Sequence, residues 1–243
     1  MNGRFLASIG ATHPWNTAGV GVDARIASEY GFRHAAAIAG VTAQDERGLH
    51  AVFALPASIV RAQLESLPLS QIVAFRVGAL FDRSNVSEIA QFFERASGKP
   101  LVVDPVFSDS FGAEFANDDT VDAFRTSIAP LPGVLTPNLS EAERLTGKQI
   151  ETVEGMVDAA RVLQARGPHA VLIKGGHLHG DPVDVLATAQ SVEIFSDTRV
   201  PKRMRGTGCT LAAVLACELA LGKSVVEAVR AARAYVRRQI SLS

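Results

Sequence analysis

The sequence predicts a three-layer α/β/α fold, in which helices cover both faces of a mostly parallel central sheet. First, 47% of the 243 residues are hydrophobic and 20% are charged, which is typical of a globular protein with a sizeable core. Second, β-like runs alternate with helical patterns along the chain. Third, the runs at 101–104 and 170–173 are almost wholly apolar, as expected for strands covered on both faces. No linker-like composition divides the chain, so we expect one domain over residues 1–243.

Short β-like runs are predicted as strands. In order, they are Phe5–Gly10, Ala35–Gly40, Ile72–Gly78, Leu101–Asp104, Val134–Thr136, Ala170–Lys174, Val183–Thr188 and Val192–Phe195. The stretch from Asp109 to Asp119 is rich in Ser, Phe, Gly and Asp, and we interpret it as a long active-site loop rather than a domain boundary.

Helices are predicted where apolar side chains recur at helical spacing. These side chains are Val86, Ile89 and Phe93; Met156, Ala159, Ala160 and Leu163; and Val225, Val229, Ala232, Val236 and Ile240. The run Leu211–Leu221 is apolar almost all round, which predicts a deeply buried helix. The arginines of the last helix lie largely off its apolar stripe, and we interpret them as a solvated face rather than a nucleic-acid contact. They are Arg230, Arg233, Arg237 and Arg238.

Charge and cysteine usage narrow the class of protein. The formal net charge of −1 gives no electrostatic reason to expect nucleic acid or an anionic membrane as a partner. No apolar run approaches the roughly 20 residues of a membrane span. Cys209 and Cys217 on one helix would lie roughly 12 Å apart, too far for a disulfide. Reduced thiols suit the cytosol, so we expect a cytoplasmic enzyme.

Chemistry is expected beyond the carboxyl ends of the strands, where ligands bind in such sheets. Asp104 ends the apolar run at 101–104 and is followed by Pro105. Its carboxylate suits a magnesium ion, held directly or through water. The alternative for Asp104 is a helix or turn cap.

The segment Thr136–Glu143 follows the next predicted strand. Asn138 or Ser140 can cap the helix that begins here, and Glu141 or Glu143 suits its positive N-terminal end. The functional alternative places Asn138 and Glu141 at one metal–phosphate site, because three residues bring side chains back to one helix face.

The turn Arg205–Thr210 opens directly into the buried helix. A glycine-rich turn at a helix N-terminus presents free backbone N–H groups and a positive dipole end, which favour a phosphate and a phosphoryl group in transfer. A thiolate of Cys209 would be stabilised there, so we expect a lowered pKa and a role as proton acceptor. The alternative for Cys209 is a small buried residue that fills space.

Lys174 lies where a predicted strand runs into paired glycines, and its ammonium can reach phosphates as a point charge. His177 is interpreted as incidental. With His179 it makes a poor zinc site, because no further Cys or His lies nearby in sequence.

Taken in order, these segments resemble the hydroxymethylpyrimidine and phosphomethylpyrimidine kinase family of thiamine biosynthesis, within the ribokinase-like superfamily. The resemblance covers nearly the whole chain. It is carried by Val103–Val106, Thr136–Glu143, Lys174–Leu178 and Gly206–Leu211, and by Ala18, Gly19, Asp23, Ala43 and Gln44.

The resemblance implies a ribokinase-like fold, ATP and Mg²⁺ as cofactors, a homodimer, and a role for each matching residue. Cys209 matches the active-site cysteine that serves as base, and the amides of Gly206, Thr207, Gly208 and Cys209 match the anion hole. The matches around magnesium and the nucleotide phosphates are Asp104, Asn138, Glu141 and Lys174, with Asp104 and Glu141 nearest the metal. The matches around the acceptor are Ala18, Gly19, Asp23 and Gln44.

The first loop departs from the family pattern. Where the family has an aspartate and two glycines, this sequence has His13, Asn16 and Thr17, and Trp15 is new. Asn tolerates positive φ better than Thr, so a changed backbone is expected. Trp15 is expected either to stack on a flat ring or to plug the local packing.

Two further positions differ from the family pattern. Ala79 stands where a methionine is usual, and Arg205 stands where a histidine is common. Because the loop at 11–17 departs from the family pattern, three functions are weighed. They are phosphorylation of hydroxymethylpyrimidine or its monophosphate, phosphorylation of pyridoxal or another ring alcohol, and pyrimidine binding without catalysis.

Overall fold

The computed structural model describes residues 3–96, 98–109, 111–176, 178, 180–202 and 204–243. Within them one sheet holds nine strands in the order β3-β2-β1-β4-β5-β6-β7-β8-β9. The strands are β1 (Phe5–Thr12), β2 (Arg33–Asp45), β3 (Gly48–Ala54), β4 (Ile72–Val77), β5 (Leu101–Val103), β6 (Val134–Leu135), β7 (Ala170–Gly175), β8 (Val183–Thr188) and β9 (Val192–Ser196). Strands β2, β1, β4, β5, β6 and β7 are parallel, so their carboxyl ends meet at one edge.

Helices cover both faces of this sheet. They are α1 (Gly19–Glu29), α2 (Ala57–Glu65), α3 (Arg83–Arg95), α4 (Asp118–Ser127), α5 (Leu139–Thr146), α6 (Val153–Gln164), α7 (Thr207–Ala220) and α8 (Val225–Leu242). Helices α1, α7 and α8 contact one another on one face, where α7 packs on β4 and β5. Helices α2 to α6 pack in succession on the other face. The predicted three-layer, mostly parallel fold is therefore present.

The core explains why the predicted helices form. Helix α7 is buried from Thr210 to Glu218, as its nearly all-round apolar sequence predicts. On the other face, Phe92 and Phe93 of α3 meet Phe75 of β4 edge to face, with ring centroids 5.8 and 5.3 Å from that ring. Such aromatic pairs stabilise a core beyond the area they bury.

Strand β3 was not predicted, and its exposure explains why. Most of its side chains are exposed, and Phe53 is 63% accessible. It pairs antiparallel with the far end of β2, beyond the part that the helices cover. A strand with little burial on either face shows no clear alternation of apolar and polar residues, so its sequence does not predict a strand.

The interpretation of the last helix was partly wrong. Its buried residues include Ala228 and Tyr235, whereas Val236 and Ile240 are only half-buried. Arg233 is not part of a solvated face, because its side chain is 10% exposed and pairs with Asp184 of β8. Apolar side chains of a strand pack against the apolar face of a helix. A buried carboxylate on the same strand also requires a cation as partner, and the helix supplies it.

The structure also bears on the expectations about the cysteines, the loop at 109–119 and membrane-spanning segments. Cys209 and Cys217 both lie in α7 and are free thiols. Helix α4 begins at Asp118, so the last residues of the predicted 109–119 loop are helical. Among the residues described, no helix combines the length and apolarity that crossing a bilayer requires.

Candidate active site

Asp104 stands at the centre of the carboxyl edge of the sheet. It follows β5 directly, and only 1% of its surface is exposed. Its Oδ1 accepts from Lys174 Nζ at 2.7 Å and from Thr136 Oγ1 at 3.2 Å, and its Oδ2 accepts from Arg76 Nη2 at 2.7 Å. Burial alone would raise the pKa of Asp104, but Lys174 and Arg76 outweigh it and hold that pKa below its usual range. Asp104 is thus an ionised carboxylate that holds two cations in place.

Arg76, in β4, was missed by the sequence analysis. Its side chain is 1% exposed, and its guanidinium lies between Asp104 and Asp23, whose Oδ2 is 3.5 Å from Nη1. Burial would lower the pKa of Arg76, but Asp23, Cys209 and Asp104 raise it. The signal was a single charge inside the apolar run Ile72–Val77, since a buried charge requires partners.

Asn138 and Glu141 form a capping box at the start of α5. Asn138 Oδ1 accepts from the Glu141 N–H at 2.9 Å, and the Glu141 carboxylate accepts from the Asn138 N–H at 2.7 Å. The capping interpretation is therefore confirmed for these two residues, whereas Ser140 is exposed and caps nothing. Lys174 lies alongside, because its N–H donates to the Pro137 carbonyl at 2.8 Å.

Glu141 is buried, and this burial raises its pKa to about 7, against the lowering effect of Lys174. Lys174 has the opposite balance. Burial would lower its pKa, but Asp104 and Glu141 raise it, so the ammonium remains charged. The predicted cofactor residues Asp104, Asn138, Glu141 and Lys174 thus form one cluster.

The glycine turn meets this cluster from the other face of the sheet. Gly206 caps α7 with a left-handed backbone, φ +72°, and a Cβ there would lie 2.0 Å from the Thr17 carbonyl oxygen. A Cβ on Gly208 would lie 3.2 Å from Lys174 Nζ. Glycines therefore let the α7 N-terminus approach both the first loop and the ammonium.

Cys209 occupies the first turn of α7. The Arg76 guanidinium and the Gly19 N–H are close enough to its thiol to lower its pKa, but burial raises that pKa by more. The expected lowered pKa is therefore not found, because the helix end is desolvated and the carboxylates of Asp104 and Asp23 also oppose the thiolate. Cys209 is therefore a protonated thiol rather than a thiolate in this structure.

The residues of the first loop that depart from the family pattern differ in backbone, exposure and contacts. Asn16 takes a left-handed backbone, φ 52°, and its side chain packs on Gly21, whereas Thr17 keeps a negative φ. The backbone thus follows the more tolerant residue. Trp15 is 53% exposed, which excludes a packing plug. His13 is buried, and its Nε2 accepts from the Ala18 N–H at 3.0 Å.

Gln44, near the end of β2, faces Arg205. Gln44 Oε1 accepts from Arg205 Nη2 at 3.1 Å, and Gln44 Nε2 donates to Thr42 Oγ1 at 3.1 Å. The other terminal nitrogen of Arg205 donates to the Asp45 carbonyl, and its guanidinium stacks on Phe111, 5.3 Å from the ring centroid. Arg205 therefore ties the glycine turn to the β2–β3 hairpin and to the loop before α4.

The comparisons with known proteins agree with this geometry. The sequence profile of a family described as phosphomethylpyrimidine kinase matches residues 14–243. The chain belongs to this family. A hydroxymethylpyrimidine/phosphomethylpyrimidine kinase from Streptomyces coelicolor is 36% identical over 226 residues, which are 92% of this chain and 84% of that protein.

Two solved structures support the same conclusion. The phosphomethylpyrimidine kinase of Clostridium difficile superposes with a TM-score of 0.86 and 28% identity, over 98% of this chain and 99% of that one. The pyridoxal kinase of Staphylococcus aureus, in complex with AMP-PCP and pyridoxal, gives 0.87 and 27%, over 98% and 87%. The ribokinase-like fold and the family resemblance are therefore confirmed.

The acceptor residues expected in this family do not all face the same site. Ala18 and Gly19 start α1 beside the glycine turn, and Gln44 contacts Arg205, which precedes that turn. Asp23 is fully buried, and burial raises its pKa to about 6, so it stands behind Arg76 rather than facing a ligand. His177 and His179 lie outside the described residues. Within the described ranges, no three His, Cys, Asp or Glu side chains form a metal-binding group.

Proposed function

We propose that this protein transfers the γ-phosphoryl group of ATP to hydroxymethylpyrimidine, to its monophosphate, or to both, as in thiamine biosynthesis. The observation that carries the proposal is the meeting of Lys174, Asp104 and the Gly206–Cys209 turn at one edge of the sheet. Phosphoryl transfer requires little covalent chemistry from a protein. Positioning and charge stabilisation supply most of the rate.

Each part of the site has a role in this reaction. Lys174 binds phosphate oxygens of ATP, and the free N–H groups of the turn stabilise the charge on the phosphoryl group in transfer. Cys209 accepts the proton of the attacking hydroxyl. It does so as the thiolate, after its own proton has left to solvent; Arg76 and the Gly19 N–H favour that form, whereas burial and the negative phosphates oppose it.

Magnesium fits this cluster with both carboxylates acting on it through metal-bound water. Both oxygens of Asp104 are held by Lys174 and Arg76, so Asp104 would act on the metal only through water. Glu141 uses one oxygen in its capping box and keeps the other for a metal-bound water. Mg²⁺ retains waters and takes most other ligands from phosphates, so few protein ligands are needed. When bound, it neutralises charge on the β- and γ-phosphates.

The deciding experiment is ADP release by the purified protein with Mg-ATP and hydroxymethylpyrimidine, beside Cys209→Ala. We expect turnover in the wild type and a loss of about 10²-fold or more in the variant. No turnover above a heat-killed control, from protein shown to be folded and supplied with either acceptor, would overturn the proposal.

Pyridoxal is a second candidate acceptor because the S. aureus pyridoxal kinase shares the fold at 27% identity. The ratio of kcat/KM for the two acceptors decides, since specificity is that ratio. We expect the pyrimidine to be preferred, because the curated relative at 36% identity carries that name. Binding of a pyrimidine without ADP release would instead favour the non-catalytic alternative.

The resemblance also implies a homodimer. The β2–β3 hairpin supports this proposal, because Val41, Val52 and Phe53 expose apolar surface at 42%, 39% and 63% accessibility along the edge of the sheet. Light scattering after size exclusion tests it. A dimer that Phe53→Glu converts to a monomer is expected, and a monomeric wild type would exclude it.

A further inference from the structure

The turn at 176–182, between β7 and β8, lies beside the proposed nucleotide site. It follows Lys174 closely, at the carboxyl end of β7, where ligands bind in parallel sheets. A Cβ added to Gly176 or Gly180 would meet no described atom within 4 Å beyond its chain neighbours. Side-chain packing therefore does not fix these glycines, and glycine loses more conformational freedom on ordering than other residues. The position of the turn depends on hydrogen bonds.

Arg199, which follows β9, supplies these hydrogen bonds. Its Nε donates to the Gly180 carbonyl at 2.9 Å, and its Nη1 and Nη2 donate to the carbonyls of Gly176 and Leu178, each at 3.0 Å. Its backbone N–H donates to Asp181 Oδ1 at 2.9 Å. One residue thus bonds to four residues of the turn.

The guanidinium suits this arrangement for two physical reasons. Three carbonyl oxygens that converge on one place repel one another unless a cation lies between them. The planar guanidinium also presents its donors in a fixed fork, so one side chain satisfies several acceptors at little further cost in entropy. Arg199 therefore stabilises an arrangement of carbonyls that the turn alone would not keep.

The segment that carries Arg199 is itself anchored. The Asp197 N–H donates to the Pro182 carbonyl at 3.2 Å, and Asp197 Oδ2 accepts from Nη2 of Arg233 in α8 at 2.6 Å. The backbone after β9 is thus tied to the sheet and to the last helix. Arg199 extends from this fixed support and holds the turn in one place.

We propose that Arg199 is a positioning residue for the nucleotide, because it holds the turn after β7 in the arrangement that ATP binds. This inference rests on the proposed function and adds a residue to it. When such a turn is free to move, only a fraction of the molecules can bind, and the apparent affinity falls by that fraction. The acceptor residues Gly19 and Gln44 lie on other elements, so affinity for the acceptor should not change.

The test compares the wild type with Arg199→Ala. Calorimetry gives the Kd of Mg-AMP-PCP, a nucleotide that is not turned over, and ADP release gives KM for ATP and for the acceptor. We expect the variant to raise the Kd of the nucleotide and KM for ATP by about tenfold, with KM for the acceptor within about twofold of the wild type. A general structural defect would instead raise both KM values together and lower the denaturation midpoint.

The guanidinium ion should restore nucleotide binding to Arg199→Ala. The alanine leaves the three carbonyls without their cation, and the free ion has the same charge and planar shape as the lost group. Guanidinium chloride, far below the concentrations that unfold proteins and at constant ionic strength, should lower the Kd of the variant toward that of the wild type. Uncharged urea at the same concentration should not, and the wild type should respond to neither.

Arg166→Ala is the matched control. Arg166 is also exposed, and its Nη1 also donates to a backbone carbonyl, that of Leu145 at 2.8 Å. It precedes β7, at the opposite edge of the sheet, so its loss should leave the Kd of the nucleotide unchanged.

The outcomes separate this inference from the proposed function. A wild-type Kd in Arg199→Ala, or a raised Kd that guanidinium does not restore, would overturn the inference. Nucleotide binding by the wild type without ADP release would overturn only the proposed function. A wild type that binds no nucleotide would overturn both.

Discussion

Lys174 Nζ and Asp104 Oδ1 lie 2.7 Å apart, although the two residues are 70 positions apart in the chain. Asp104 directly follows β5 and Lys174 lies in β7, with β6 between the two strands. Their side chains meet because parallel strands bring their carboxyl ends to one edge. The same pair orients the ammonium toward the Gly206–Cys209 turn.

Lys174→Ala should reduce both activity and stability. The variant leaves Asp104 with Arg76 and Thr136, so the free energy of unfolding should fall by about 1–3 kcal/mol, less than for a buried charge left alone. Loss of the phosphate contact should lower kcat by about 10²-fold or more. Urea denaturation and steady-state ADP release measure the two effects.

Arg83→Ala provides the control for Lys174→Ala. Arg83 pairs with Asp119, both side chains are more than half exposed, and solvent-exposed pairs of this kind contribute little to stability. Equal losses of stability in the two variants would contradict the role assigned to the buried pair.

How much of this site is predictable from one sequence depends on where each signal lies. Asp104, Asn138 and Lys174 each follow or end a buried strand, so the rule that ligands bind at the carboxyl edge identifies them. Arg76 is the penultimate residue of β4, inside the predicted run 72–78, and its function depends on Asp23 and Cys209 from distant segments. No local pattern reports such a partner.

The same limit applies to the acceptor side. The contact of Arg205 with Gln44 spans 161 positions and joins a helix N-terminus to a hairpin. The hairpin strand β3 is too exposed to have a hydrophobic period, so its position could not be predicted. The fold was predictable because the hydrophobic period that indicates a helix or a strand lies within that one element. These contacts instead join residues of different elements.

Cys209 should react slowly with iodoacetamide at neutral pH. Burial raises the pKa of its thiol above the ordinary value of 9.0, so little thiolate is present. The alkylation rate should still be rising at pH 9, and Mg-ATP should slow it. A Cys217→Ala background isolates the reaction to one thiol. A rate that reaches its plateau below pH 8 would contradict the raised pKa.

Glu141→Gln should make the protein more stable at pH 8 than the wild type, but not at pH 4. Burial raises the pKa of Glu141 from 4.5 to about 7 in the folded state. The folded state therefore binds its proton more tightly, and wild-type stability falls as pH rises from about 4.5 to 7. The difference should reach the order of 3 kcal/mol by urea denaturation. Glutamine keeps the capping box, so capping is not lost.

Glu227→Gln is the control with the opposite sign. Glu227 occupies the same position in the capping box of α8, but it is exposed, and its bonds to Ser224 lower its pKa. Its carboxylate stabilises the folded state above the unfolded pKa, so this variant should be less stable than the wild type at neutral pH. The difference should disappear as pH falls through the folded pKa of Glu227, because the wild type loses the same stabilisation there. The same direction in both variants would contradict the assignment.

Gly206→Ala should abolish activity and destabilise the fold more than a left-handed backbone alone explains. The backbone at Gly206, φ +72°, costs an alanine roughly 1–2 kcal/mol. Its Cβ would in addition lie 2.0 Å from the Thr17 carbonyl, so the first loop or the turn must move. Gly222→Ala is matched, because Gly222 has φ +86° after α7 with no atom within 4 Å of an added Cβ. It should lose only the backbone cost and keep its activity. Thermal denaturation and ADP release compare the pair, and equal behaviour would mean that the turn tolerates displacement from the first loop.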